Sequence, residues 1–218
     1  MAISKVNFNS LNVTPSASKF LAWDGDADAL AAADIGGALT LISTTTASSS
    51  ANLSITSGID STYKEYIFKF INIHPATNNK ELTFNLSIDG GSNYNVTKTT
   101  AVHIHQHGED GSNGNSEYST ERDLAQSTDY QKLCKDLGNG NDESLSGTLH
   151  LFEPSSTTFV KNFLTRTSSY FGSDRAVDMY VSGYGNTTTA INAIDFKMSS
   201  GNIDSGVIKM YGLSKSWA

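Results

Sequence analysis

Residues 64–91, KEYIFKFINIHPATNNKELTFNLSIDGG, carry the pattern that decides the fold class. Over residues 64–73, apolar side chains occupy both faces of a period-two pattern, which predicts a strand in the middle of a sheet. Pro75 ends this strand because proline cannot donate a backbone hydrogen bond to a neighbouring strand. Over residues 81–88, apolar and polar side chains alternate strictly, which predicts an antiparallel strand with one buried face. The Asp-Gly-Gly that follows predicts a turn.

The period of two continues along most of the chain. Further strands are predicted at residues 39–43, 52–56, 94–106, 147–153, 157–165, 175–183, 190–198 and 206–212. Many short strands separated by turns rich in Gly, Asn, Asp and Ser are typical of a sandwich or jelly roll. The stretch 117–137 has no clean apolar stripe and is interpreted as a loop with one strand. We therefore predict an all-β fold, with an antiparallel jelly-roll-like β-sandwich over residues 38–218.

Residues 1–37 are predicted to form an N-terminal arm. Residues 1–22 mix isolated apolar residues with Ser and Asn at no sustained period, which is typical of a segment that becomes ordered on a partner. One short helix is predicted over residues 28–34, with Asp26 or Asp28 as its N-cap and two glycines after its end.

Composition and charge argue against several classes of function. Fifteen basic and 22 acidic residues give the 218-residue chain a formal charge of −7, and the basic residues form no cluster, so nucleic-acid binding is not expected. No apolar run approaches the ~18 residues that a membrane span needs. Cys134 is the single cysteine, which excludes an intrachain disulfide. The motifs G-x-S-x-G and H-E-x-x-H and the P-loop are absent, so we predict no catalytic residue and no enzymatic activity.

Three histidines alternate in the segment His103-Ile104-His105-Gln106-His107. In a strand their imidazoles share one face, and neutral imidazole is a ligand for divalent transition metals. One strand cannot surround a metal, but a threefold axis would let three chains supply six nitrogens. The candidate metal site is therefore His103, His105 and His107 across the axis of a homotrimer. The alternative is that these rings face solvent and bind no metal.

Two further groups of side chains suit saccharides. Carboxylates that flank a glycine-rich loop could pair across a sugar, as in glycosidases: Glu109, Asp110, Glu117, Glu121 and Asp123. Aromatic rings could stack on sugars: Trp23, Tyr170, Tyr180, Tyr184 and Trp217. The alternative for the carboxylates is a solvated loop, and the alternative for most of the rings is packing in a core or an interface.

A single copy of the Asp-box pattern, S-x-D-x-G-x-x-aromatic, occurs at residues 87–94. In this motif the carboxylate accepts hydrogen bonds from turn amides, so its role is structural. Propellers repeat the motif blade by blade, and the lone copy here predicts only a well-formed hairpin.

Three stretches of the chain carry a family resemblance. They are YKEYIFKFINIHPATNNKELTFNLSIDGGSNYNVTKTT at residues 63–100, TFVKNFLTRTSSYF at 158–171 and AIDFKMSSGNIDSGVIKMYGL at 193–213. They resemble virion structural proteins of marine tailed bacteriophages, of the tail-fibre or capsid-surface type. The resemblance covers most of residues 40–213, and its most specific pieces are FKFINIHPAT and SGNIDSGVIKMYGL. It implies a β-rich, oligomeric, non-enzymatic role in a virion assembled in the host cytoplasm, and it carries over no catalytic residue or cofactor.

The residues and the resemblance together predict a structural component of a phage virion, a short tail fibre or its tip, that acts in host attachment as a homotrimer. Residues 1–22 would contact other virion proteins. The loops 107–116, 138–146 and 184–189 would face outward, towards a host surface glycan. The alternatives are a capsid decoration or head-fibre protein, and a carbohydrate-active depolymerase or carbohydrate-binding module. A depolymerase needs carboxylates ~5–10 Å apart in a cleft, and a module needs aromatic rings in line on one face.

Overall fold

The computed structural model of the chain describes residues 19–23, 30–34, 39–112 and 114–213. Its strands, in chain order, are β1 (Lys19–Trp23), β2 (Leu30–Asp34), β3 (Leu39–Ser50), β4 (Leu53–Ile55), β5 (Glu65–Pro75), β6 (Leu82–Ser87), β7 (Lys98–Gly108), β8 (Asn115–Tyr118), β9 (Gln131–Lys132), β10 (Leu145–Phe152), β11 (Lys161–Phe171), β12 (Arg175–Gly185), β13 (Ala193–Met198) and β14 (Ile203–Leu213). All regular structure in the described residues is β, which confirms the predicted fold class. No helix in this described part is long and apolar enough to cross a membrane.

The chain divides into two compact units, Met1–Ala38 and Leu39–Ala218. The first unit contains the antiparallel pair β1–β2. The second unit contains the other twelve strands, in one sheet of eight strands and one sheet of four. The candidate functional site lies in this second unit.

The short helix predicted over residues 28–34 is wrong from Leu30 onward. Leu30–Asp34 forms β2, which pairs with Lys19–Trp23 in an antiparallel register. A helix of about seven residues is too short to be stable by itself, whereas the pairing gives its backbone groups partners from a second strand. The predicted caps Asp26 and Asp28 lie outside the described residues, as does most of the predicted arm.

The second unit has the connectivity of a jelly roll with two inserted strand pairs. The larger sheet has the order β3-β14-β5-β10-β11-β12-β7-β8, and the smaller sheet has the order β4-β13-β6-β9. If β7, β8, β11 and β12 are set aside, eight strands remain, and they can be numbered one to eight in chain order. The larger sheet then has the order 1-8-3-6, and the smaller sheet has the order 2-7-4-5. This interleaved order is the jelly-roll arrangement, as predicted. The inserted strands extend the larger sheet beyond β10, and β7 pairs with β12.

Aromatic side chains fill the core between the two sheets. The ring centroid of Phe196 on β13 lies 5.7 Å from that of Phe68 and 5.4 Å from that of Phe70, both on β5. Phe84 on β6 meets Phe163 on β11 with centroids 5.1 Å apart. All five rings are buried. The interior position of β5, between β14 and β10, confirms the prediction from residues 64–73.

Two strands differ from their predicted form. β6 is buried on both faces, because the side-chain amide of Asn85 donates to the carbonyls of Tyr94 and Thr128 in segments that cover the polar face. The pattern of β6 alone predicts only one buried face. β3 continues to Ser50 instead of ending near residue 43, because its threonine-rich part pairs with β14.

Candidate functional site

The larger sheet has one face in the core and one face turned away from it, which we call the outer face. On β11, for example, Phe163, Thr165 and Thr167 are buried, whereas Leu164 and Arg166 are exposed. The same alternation on β7, β10 and β12 sorts their side chains between the two faces. The outer face is therefore a continuous surface of rigid strands.

A pocket of about 510 Å³ lies on the outer face over the five strands from β10 to β8. Its lining mixes cationic, aromatic and apolar side chains, and includes His103, Tyr118, His150, Leu164, Arg166 and Tyr180. Tyr118 is 53% exposed, Leu164 50% and Tyr180 37%, so large apolar surfaces face solvent here. The volume is in the range of small-ligand sites.

Tyr180 is the centre of an ordered group in this pocket. The Arg166 guanidinium carbon lies 4.9 Å from the centre of the Tyr180 ring. Arg166 also donates from Nε and Nη2 to the two Asp178 oxygens, at 3.1 and 3.0 Å. These hydrogen bonds are the largest cause of the lowered pKa of Asp178. His105 meets Tyr180 edge to face at 5.8 Å. The bidentate pair fixes the guanidinium over the ring, so this part of the pocket is preorganised.

The three candidate metal ligands lie at alternate positions of β7. They pair with Tyr180, Asp178 and Ala176, which are alternate residues of β12. The rings of His103 and His105 have centroids 4.7 Å apart, and His103 Nε2 lies 2.9 Å from Ser116 Oγ. Within the described residues, no group of three or more His, Cys, Asp or Glu side chains could hold a metal in one chain. A metal at these histidines would therefore need ligands from more than one chain, and the three-chain site stays a prediction.

If β7 lies next to the axis of a homotrimer, so that this part of the outer face is turned to the axis instead of to solvent, tag-free, full-length protein should form a trimer in light scattering and carry roughly one transition metal per three chains. The His103→Ala/His105→Ala variant should lose the metal, because it removes two of the three imidazoles that each chain could supply. His74→Ala, which changes a histidine outside β7, should keep the metal. A monomer, or less than about 0.1 metal per chain by elemental analysis, would contradict the prediction.

A second pocket, of about 640 Å³, lies where β7 ends and β12 begins. The Tyr170 hydroxyl lies 3.2 Å from Glu109 Oε2 and 3.2 Å from Asp174 Oδ1. Desolvation, and then these two carboxylates, raise the pKa of Tyr170 to about 12. The loops 107–116 and 138–146 both contribute to this pocket. The loop 184–189 follows the opposite end of β12, so only two of the three predicted recognition loops meet.

The five candidate carboxylates have separate partners. Glu109 accepts from Tyr170, Asp110 from the Ser112 amide, and Asp123 from the Tyr118 hydroxyl; Glu117 pairs with Lys135, and Glu121 with Arg122. These bonds shape turns and orient side chains, as the solvated-loop alternative implies. The Asp123 bond, at 2.7 Å, fixes the exposed ring of Tyr118 beside the first pocket.

The candidate aromatic residues have different outcomes. Tyr170, Tyr180 and Tyr184 lie on the outer face rather than in the core. The side chains of Trp23 and Trp217 lie outside the described residues. Tyr118 was missed, because β8 falls in a polar stretch whose pairing with β7 has no local sequence signal.

Two buried lysines were also missed. Lys98 Nζ donates to Asn85 Oδ1 at 2.5 Å and to the Val96 carbonyl at 2.9 Å, and desolvation lowers its pKa to about 7. Desolvation also lowers the pKa of Lys161, whose Nζ donates to three backbone carbonyls. Both lysines pair in register with Gly185. They lie on the inner face, away from the two pockets.

Cys134 and Asp89 have structural environments. Burial raises the pKa of the Cys134 thiol to about 12, so little of it is thiolate at neutral pH. Asp89 accepts hydrogen bonds from Asn93 and Ser87, which lower its pKa to about 2. The Asp89 carboxylate therefore holds the turn after β6, as the motif predicts. The turn does not form the predicted hairpin, because β6 and the next strand, β7, belong to different sheets.

Among the described residues, the outer face is where exposed aromatic, cationic and apolar side chains converge. One pocket is organised by the Arg166–Asp178 pair, and the other by Tyr170. This arrangement suits a surface that holds a ligand on fixed strands. Comparisons with protein-family models, with curated proteins and with solved structures found no match to this chain, so the functional argument depends on this geometry.

Proposed function

We propose that the chain is a non-enzymatic structural component of a bacteriophage virion, a short tail fibre or fibre tip that attaches to the host surface. The observation that carries this proposal is the outer face, where a pocket with exposed rings lies on paired strands. Side chains on rigid strands keep their binding geometry without a large ordering cost. An attachment surface needs this property.

The fold and the family resemblance support the same function. Jelly rolls form viral capsid and lectin domains, although this is an analogy at the level of the fold. The resemblance of residues 63–100, 158–171 and 193–213 points to a phage particle. In this proposal, residues 1–22 contact other virion proteins, and a homotrimer presents the outer faces to the host.

Immunogold labelling of phage particles, with antibodies raised against the full-length chain, tests the location. We expect gold at the tail tip, and mass spectrometry of the same particles should detect the chain. Labelling of the head would instead support the decoration or head-fibre alternative. Particles without the protein would contradict a virion role.

Competition for host cells tests the attachment function. Host cells preincubated with full-length protein should adsorb phage at least about threefold more slowly, because the protein occupies the receptors. Tyr180→Leu should weaken this competition, and Phe159→Ala, which removes an exposed ring outside both pockets, should leave it unchanged. Unchanged adsorption at saturating protein would contradict the attachment function.

A further inference from the structure

We propose that the outer face binds an acidic saccharide, one that carries carboxylate or sulfate groups. This inference rests on the proposed attachment function and specifies its ligand. Three features carry it: a continuous row of outer-face side chains, two lysines with no acidic partner among the described residues, and exposed rings in a pocket on the same row.

The row crosses the larger sheet from β14 to β8. Its members, paired in register from one strand to the next, are Lys209, Lys69, Thr148, Arg166, Tyr180, His103 and Tyr118. Neighbouring strands lie about 4.8 Å apart, so the row is about 19 Å long from Lys209 to Tyr180. A linear ligand along this row would contact cations at one end and aromatic rings at the other.

The two lysines are the charges of the row that form no ion pair with a carboxylate of the described residues. Lys69 and Lys209 lie directly opposite each other on β5 and β14, and like charges in this position destabilise a sheet. Among the described residues neither lysine lies within ion-pair distance of a carboxylate. Lys69 Nζ lies 5.4 Å from the centre of the Tyr211 ring. Arg166, in contrast, is neutralised by Asp178. An anion bound between the lysines would remove their repulsion.

The remainder of the row favours a sugar over other polyanions. The partly exposed rings of Tyr180 and Tyr118 offer apolar surface for a sugar, and Thr148 offers a hydroxyl for its polar edge. A nucleic acid would need many phosphate contacts, whereas this row has two lysines that lack a carboxylate partner in the described part of the chain, which has a formal charge of −7 over its full sequence. A saccharide that places an acidic group between the two lysines and its sugar rings along the rest of the row matches the positions of the cations and of the aromatic side chains.

The test measures binding of full-length protein to polygalacturonate, dextran sulfate, neutral dextran and duplex DNA by biolayer interferometry. We expect the two acidic polysaccharides to bind at least about tenfold more tightly than dextran and DNA, and binding should weaken as salt rises. Lys69→Gln/Lys209→Gln and Tyr180→Leu should each weaken binding at least about tenfold. Lys80→Gln, which removes a lysine away from the outer face, is the matched control and should bind as wild type does.

The possible results separate the acidic-saccharide inference from the proposed attachment function. A preference for polygalacturonate or for dextran sulfate supports the inference and identifies the anionic group. Equal binding of dextran, equal binding of DNA, or an unaffected lysine double variant overturns it. If antibodies against the chain label particles, and the protein competes with phage for host cells but binds none of these polysaccharides, only the acidic-saccharide inference is wrong. If it is absent from particles, the proposed function is wrong as well.

Discussion

Phe196→Ala should lower the free energy of unfolding by about 3–5 kcal/mol, because it leaves a large cavity in the middle of the sandwich. Phe196 is fully buried and contacts rings from both sheets, Phe68 and Phe70 on β5 and Phe84 on β6. Those rings lie on well-paired strands and cannot collapse into the space. The loss should therefore be near the upper end of what a single core truncation costs.

Denaturant unfolding followed by circular dichroism measures this loss, at one fixed protein concentration because assembly would shift the midpoint. Phe159→Ala is the matched control, since Phe159 is 70% exposed and its truncation should change stability by less than about 0.5 kcal/mol. A loss below about 1 kcal/mol for Phe196→Ala would show that the two sheets do not share this core.

The strands that could be predicted from the sequence are those whose hydrophobic pattern lies within the strand itself. Phe68 and Phe70 alternate along β5, and proline ends that strand, so its type and extent follow from neighbouring residues. The caps and glycines that predicted a helix over residues 28–34 gave the opposite result, because such local helix signals are weak and pairing with β1 outweighs them. Burial of the polar face of β6 depends on the distant Thr128, which no pattern within β6 contains.

The candidate site also has a part that follows from the pattern of one strand and a part that depends on pairing between strands. The alternation of His103 and His105 on one face of β7 could be read from the sequence. The pairing of Lys69 with Lys209 could not, because these residues are far apart in the chain and no pattern within either strand sets the register between them. Tyr118 reaches the pocket through the pairing of β8 with β7, which is likewise long-range. Side chains at alternate positions of one strand can be predicted to share a face, whereas a row of side chains across several strands can be predicted only when the register between the strands is known.

Lys98 should make stability rise with pH. It is fully buried, and desolvation lowers its pKa to about 7, with the nearby Asp129 charge opposing the shift. In the unfolded chain a lysine keeps its proton up to about pH 10.4. Between these two values the unfolded state binds more protons than the folded state, so the free energy of unfolding rises by about 1.4 kcal/mol per pH unit from this residue. Below about pH 7 the charged ammonium is buried at full cost.

The Lys98→Met variant isolates this contribution, because other titrating groups are common to both proteins. The free energy of unfolding of the wild type minus that of Lys98→Met should increase by about 3 kcal/mol between pH 7 and pH 9.5. For Lys80→Met, which changes a lysine outside the core, the same difference should stay flat. Parallel pH profiles for wild type and Lys98→Met would mean that Lys98 remains charged in the folded state. The bonds from its Nζ to Asn85 and Val96 would then compensate its burial.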